Sequence, residues 1–313
     1  MPPTPLPSTR DKPPSLREQA LAALCTAEPS AKVAAAHALW ERWRALGADD
    51  EAAWSAPVPI EADPARPLPG RPTRPELVPP QAVAQRSPFT RDGLAALLHA
   101  IAHIEFNAID LALDALWRFP GLPLDYYRQW LQVAHEEATH FGLLRDLLGE
   151  LGHGYGDFPA HNGLWEMCVK TQHDPLARMA LVPRTLEARG LDATPLIQAR
   201  LRQVTVREVK QEAQRAVEIL DIILRDEIGH VAVGNRWYGW LCAQQGIEPL
   251  PHYRRLAREH AAPRLRPPFN LEARRRAGFN EAELSALRAE DGASARSGSP
   301  SVSTRQDASE RVR

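Results

Sequence analysis

Apolar residues recur every three or four positions through four long stretches of the chain, a period that predicts helices rather than strands. In TRDGLAALLHAIAHIEFNAIDLALDALWRF, Leu94, Leu97, Leu98, Ile101, Ile104, Ala108, Leu111, Ala112 and Leu116 fall on one helical face. Thr90 supplies an N-cap and Pro120 a stop. The turn Pro120-Gly121-Leu122-Pro123 leads into a second helix, LDYYRQWLQVAHEEATHFGLLRDLLGELG, which stops at Gly152. So brief a connection makes the two helices antiparallel neighbours. A third helix is expected from Pro175, at the first helical position, to Gly190, with Pro183 kinking it. A fourth covers about residues 206–245, and shorter helical runs are expected at 164–171 and from Thr194-Pro195 to Gln203.

Around this core the pattern changes. Residues 1–14 are rich in Pro, Ser and Thr and read as disordered. Residues 15–47 read as two short helices broken near Pro29-Ser30, with Leu39, Trp40 and Trp43 to pack on the core. Residues 48–88 form a proline-rich connector, including PARPLPGRPTRPELVPP, expected to run extended across the main domain. The four long helices occupy 89–248, an arginine-dense wrapping segment 249–290, and a Ser/Ala/Arg-rich tail, read as disordered, 291–313. The expected fold is therefore all-α, a four-helix bundle with an N-terminal helical appendage, a proline-rich linker and an arginine-rich C-terminal extension.

Composition narrows the setting. The 313 residues include 44% hydrophobic and 25% charged residues, enough for a sizeable core. A formal net charge of −1 gives no overall pull toward nucleic acid or an anionic membrane. Cys25, Cys168 and Cys242 are far apart and form no C-x-x-C pair, which excludes a rubredoxin-type iron site and a disulfide framework. A reducing cytoplasm is the expected compartment. The N-terminus lacks the apolar core of a secretory signal, and no uninterrupted apolar run has the ~18 residues of a membrane span.

The chemistry lies in two stretches about ninety residues apart, Glu136-Glu137-Ala138-Thr139-His140 and Asp226-Glu227-Ile228-Gly229-His230. Three residues along a helix turn through about 300°, so Glu137 and His140, like Glu227 and His230, return to one face a turn apart. A carboxylate and an imidazole presented twice suit a non-haem iron or manganese pair. Glu105 stands in the apolar face of the first helix, costly there unless paired or metal-bound. It precedes the turn by about as many residues as Glu137 follows it, so the two face each other at mid-height. Glu187 is the acid of the third helix, and Glu208, Glu212 and Glu218 on the fourth compete with it for the last carboxylate position. Glu136 and Asp226 are the acids expected to hold the imidazole N–H groups. Trp130, Trp237, Tyr127 and Tyr238 are possible redox-relay residues, with ordinary core packing as the blander reading. His103, about 160° from Glu105 around the helix, reads as a packing or surface residue, and His99, His135, His153, His161 and His173 as no part of the ligand set.

With Glu105, Glu137, His140, Glu187, Glu227 and His230 in chain order, the sequence resembles the ferritin-like superfamily. The closer resemblance is to an uncharacterised bacterial branch of it, carried by RPELVPP, HIEFNAIDLALDA, RTLEARGLD, RDEIGHVAVGNRWYGWLC and APRLRPPFNLEARRRAGF over roughly residues 15–285. A more distant similarity is to tRNA-hydroxylase-type di-iron proteins. The resemblance implies two bound iron ions, or manganese, or one of each, and an O2-dependent oxidoreductase supplied with electrons by a reductase or ferredoxin. A small-molecule substrate is expected rather than RNA, although the arginines of 253–276 could approach phosphates. A monomer or dimer is expected. Competing readings are a ferroxidase or iron-storage protein, against which the long proline-rich flanks argue, and a metal-free helical scaffold.

Overall fold

Every regular element among the described residues is a helix, and the sole strand-type pairing there is a parallel bridge between Leu77 and Ala160. The computed structural model describes residues 14–46, 58–84 and 86–297, with the backbone alone for 290–297. The disorder expected for 1–13 and 298–313, and the connector at 47–57, lie outside these residues. The helices are α1 (Leu16–Leu24), α2 (Pro29–Leu46), α3 (Arg91–Arg118), α4 (Leu124–Glu150), α5 (Gly163–Lys170), α6 (Pro175–Leu181), α7 (Ala188–Leu201), α8 (Lys210–Gln245), α9 (Pro249–Glu259), α10 (Leu271–Arg276) and α11 (Glu281–Ser297). Helix α11 thus continues past the boundary drawn at residue 291 from composition.

Local chemistry accounts for the ends of these helices. Thr90 Oγ1 accepts the Gly93 N–H at 3.1 Å and so caps α3. Ser15 and Glu18 form a reciprocal capping box on α1. Gly121, at φ +73°, turns the chain between α3 and α4, and Gly246, at φ +64°, ends α8. Helices α3 and α4 pack along their lengths, α8 packs on α4, and α6 and α7 close on α8. An 18-residue window of α3 has mean hydropathy 1.3, and by length and apolarity this helix could cross a membrane; 78% of the window is buried inside the protein.

The third long helix departs from expectation in two ways. Pro183 does not simply kink it: residues Val182–Glu187 widen into a π-helical turn between α6 and α7. Proline lacks an N–H and its ring crowds the preceding turn, and the widened turn accommodates both. Thr185 Oγ1 donates to the Ala180 carbonyl at 2.8 Å inside this turn. Nor does Gly190 end the helix, which continues through Pro195 to Leu201. Pro195 leaves the Leu191 carbonyl without its helical donor, and the Asn270 side chain supplies one at 3.2 Å. A residue 79 positions downstream therefore completes a helix that local signals would stop.

Gly234 of α8 meets Pro183 directly, because a Cβ at position 234 would lie 2.5 Å from both Cβ and Cγ of the proline ring. A rigid ring cannot swing aside. Gly234→Ala is therefore expected to destabilise the fold by about 1–3 kcal/mol, the usual range for overpacking, measured by urea unfolding. A change within a few tenths of a kcal/mol would show that the two helices are free to separate.

The N-terminal helices and the proline-rich strap are tied to this core by named contacts. Helix α1 packs on α3 and α2 on α4. The Arg17 guanidinium donates to the Val58 and Trp117 carbonyls at 3.1 and 2.7 Å. Trp117 Nε1 donates to the Ile60 carbonyl at 2.8 Å. Gly70 N–H donates to the Leu24 carbonyl at 2.9 Å, and a Cβ on Gly70 would strike the Cys25 carbonyl oxygen at 2.2 Å. Buried Lys32 of α2 crosses to Asp110 of α3 and also donates to the Gly70 carbonyl. At the other end, Arg274 of α10 is fully buried and grips Asp192 of α7.

Candidate metal centre

Glu105 of α3, Glu137 and His140 of α4, and Glu227 of α8 each offer an atom such that all lie within 4.8 Å of one another. His140 Nδ1 stands 3.1 Å from Glu105 Oε2 and 3.4 Å from Glu137 Oε2. His230 joins through the other Glu137 oxygen, at 2.9 Å, and lies 3.7 Å from Glu227 Oε1. In both histidines Nδ1 turns inward, toward the carboxylates. All these side chains are buried, Glu137 and His140 completely.

Glu187 enters from the C-terminal end of the π-turn, buried, with both carboxylate oxygens unpartnered. Its charge interacts with Glu227, Glu137 and Glu105. Its rivals lie elsewhere: Glu208 and Glu218 are exposed, and Glu212 faces Arg91 at 3.6 Å. The widened turn at Pro183, a local irregularity, thus leads directly to Glu187, whose charge acts on the cluster.

The acids in front of each motif hold the imidazoles crosswise. His140 Nε2 donates to Asp226 Oδ2 at 3.1 Å, so the acid of α8 holds the histidine of α4. His230 Nε2 donates to Glu136 Oε2 at 2.7 Å, so the acid of α4 holds the histidine of α8. Each outer nitrogen is thereby committed as a donor, which fixes the ring and leaves Nδ1 for the interior. Asp226→Asn is expected to weaken divalent-metal affinity about 10–100-fold, as losses of such supporting carboxylates do. Competition with a chromogenic chelator would measure it, and an unchanged affinity would mean that the bond does not support the site.

The electrostatics show how ill-suited the pocket is to standing as a pure protein core. Burial, followed by the charge of Glu137, pushes Glu105 well above the usual carboxylate range. Burial and the nearby Glu227 do the same to Glu187, and burial and Glu137 raise Glu227. Burial would raise Glu137 too, but His230 and His140 outweigh it and hold that carboxyl below its ordinary range. Burial would lower His140, yet its bonds to Asp226, Glu105 and Glu137 push it up to about 12. Both oxygens of Glu187 and Glu227 Oε2 have no hydrogen-bond partner, and Glu137 and His230 Nδ1 meet each other as charges without hydrogen-bond geometry. Buried, unpaired acceptors of this kind are costly, and a cation among them satisfies them at once. Oxygen and imidazole donors without thiolate suit iron or manganese, so the residues present fit the metal pair.

The model of the family described as "Protein of unknown function (DUF455)" matches residues 25–285. The chain belongs to this family. A Haemophilus influenzae protein, described as uncharacterized, is 50% identical over 220 residues, covering 68% of this chain and 74% of that protein. No solved structure matches the chain.

The matched DUF455 region contains every residue of the cluster and also the aromatic residues singled out beside it. Trp130 and Trp237 are buried and joined through Tyr126, at ring-centroid separations of 6.3 and 5.3 Å, and Trp240 continues the row 5.6 Å from Trp237. Tyr126, absent from the sequence reading, is the member that links them. Tyr127 and Tyr238 donate to the carbonyls of Phe119 and Pro249, each at 2.7 Å, as packing residues do. His103 points away from Glu105, toward Tyr155 and the His161 carbonyl. His135 pairs with His37 of α2 at 2.8 Å, and His99 Nε2 accepts the Gly156 N–H at 2.9 Å. Cys25, Cys168 and Cys242 are all free thiols.

The arginine-dense segment is partly consumed within the chain. Arg274 binds Asp192, Arg275 binds Glu281 and Arg255 approaches Glu259. Arg184, in the π-turn itself, binds Glu283 of α11 and lies over the rings of Tyr238, Tyr253 and Phe279 at 5.2, 5.3 and 4.7 Å. These bonds brace the turn that leads to Glu187. No local sequence signal distinguishes Arg184 from the arginines at the surface.

Proposed function

We propose that this DUF455 protein is a ferritin-like four-helix bundle that holds two metal ions, iron or manganese or one of each, and works as an O2-dependent oxidoreductase of the monooxygenase or oxidase type. The observation that carries the reading is the buried set Glu105, Glu137, His140, Glu187, Glu227 and His230, in which Glu187 and Glu227 keep unpartnered oxygens and the imidazoles are locked crosswise by Asp226 and Glu136. Four carboxylates supply the charge that two divalent ions neutralise. When bound, such a pair supplies O2 activation for oxidising a substrate C–H or N–H bond.

The protein's own residues would do the rest. Glu137, whose oxygens face both histidines, would be one of the carboxylates that hold the metal pair. Asp226 and Glu136 would keep the outer imidazole protons in place and the inner nitrogens free. Phe106 and Phe141, whose rings lie 5.1 Å apart beside Glu105 and His140, would keep bulk water from the cluster. Electrons would come from a reductase or ferredoxin. The use of Arg274, Arg275 and Arg255 in internal pairs supports a small-molecule substrate over RNA. Cytoplasmic location and a monomer or dimer complete the proposal.

The test is anaerobic titration with ferrous iron followed by O2 exposure, with metal content and optical absorption recorded. Uptake of two ions per chain, and a new visible band on oxidation that requires both, is expected. Protein that takes up neither iron nor manganese would end the proposal.

A further inference from the structure

Helix α3 carries a second stripe of functional groups on a face turned from Glu105. His103, Phe106, Asn107 and Asp110 follow the i, i+3, i+4, i+7 spacing, and Glu105 lies about 160–200° from His103 and Asn107 around the axis. The proline-rich strap crosses this stripe and, with Tyr155, borders a cleft partly open to solvent. Arg71, Pro72, Pro75 and Leu77 form the strap side. That wall is fixed in place: Val78 N–H donates to the Ala160 carbonyl, Ala160 N–H to the Glu76 carbonyl, and Gly70 is held at Leu24.

The charges in the cleft do not balance. Asp110 is already engaged by Lys32 from the α2 side. His103 is occupied by the Tyr155 hydroxyl and the His161 carbonyl, at 2.9 and 3.1 Å. Arg71, which feels the charge of Asp110 but forms no ion pair with it, is the cation left over. Its guanidinium is half-buried, makes no ion pair among the described residues, and its one hydrogen bond there is a long contact of 3.5 Å to Asn107 Oδ1. A guanidinium drawn from water and given so little in return is prepared for an acceptor that arrives from outside. The cleft is narrow, which restricts that acceptor to a small group.

We propose that this cleft binds a small oxyanion, the carboxylate or phosphate of a small molecule, with Arg71 as its principal contact. Asn107 and Tyr155, both hydrogen-bonded to His103, line the same space. The site is separated from the acidic cluster by the rings of Phe106, Phe141 and Tyr155, which pack mutually at 5.0–5.3 Å. It does not depend on the metal reading.

Isothermal titration of the full-length protein with inorganic phosphate and, separately, with acetate tests it. Saturable one-site binding of at least one is expected, and the stronger of the two identifies phosphate or carboxylate as the natural group. Arg71→Gln should weaken that binding at least tenfold. Leu77→Trp, at a position 41% exposed where folding should tolerate it, should block the cleft with the same effect. Glu137→Ala, on the far side of the aromatic wall, should bind the anion as the parent protein does. The proposal is overturned if neither anion saturates, if both cleft variants bind normally, or if Glu137→Ala abolishes binding, which would put the anion at the acidic cluster instead.

Discussion

Glu137→Ala is expected to lower bound metal from two ions per chain to fewer than one while leaving the helical content largely intact. Glu137 is the residue whose two oxygens face both histidines, at 3.4 Å from His140 and 2.9 Å from His230. Loss of a supporting carboxylate typically costs about 10–100-fold in metal affinity, so loss of this direct donor should exceed about 100-fold. The fold should survive because the substitution removes a buried carboxylate rather than an apolar contact. Elemental analysis after reconstitution, with circular dichroism in parallel, makes the measurement. The parent should also melt higher when metal is present, since ligand at a hundred times its Kd stabilises by about 2.7 kcal/mol, and the variant should lose that increment. Undiminished metal content in the variant would refute the assignment of Glu137.

Asp114→Ala is expected to destabilise the protein by about 3–5 kcal/mol, the cost of leaving a buried charge without its partner. Asp114 of α3 is fully buried, and its carboxylate binds the buried Arg178 of α6 and also Arg118. Arg178 would keep only Thr171 Oγ1 and the Cys168 carbonyl, at 2.9 and 2.6 Å. Against a typical total stability of about 5–15 kcal/mol, this is a large fraction. Urea unfolding of the metal-free protein would measure it, with the exposed Asp92→Ala as a control. A loss below about 1 kcal/mol would mean that water reaches Arg178 once the carboxylate is gone. Asp114→Asn, which keeps an acceptor, should fall between the two.

Much of this architecture is legible from periodicity. Helix α3 is announced by its apolar face and by Thr90, and the turn at Gly121 makes α3 and α4 antiparallel neighbours because the five residues between them form so short a connection. The Glu-x-x-His spacing places each acid and imidazole on one face for purely helical reasons. Where the reading of the third helix goes astray, the cause is nonlocal: Asn270 supplies a donor to the Leu191 carbonyl past Pro195, and Gly234 makes room for Pro183. Proline and glycine break helices only where nothing else satisfies the backbone, and distant residues satisfy it here.

The helical class, the repeated acid-Glu-x-x-His motif and the tight pairing of its first two helices were settled by sequence alone, because each follows from rotation per residue and from the reach of a short turn. The crossed bonds from Asp226 to His140 and from Glu136 to His230, the burial of Glu187 where Glu208 and Glu218 are exposed and Glu212 faces Arg91, and the setting of Arg71 in its cleft were decided only in three dimensions. Each depends on which helix lies beside which and on what has already been neutralised there. A side chain's partners across such an interface are set by packing, and no spacing along one strand of sequence encodes them.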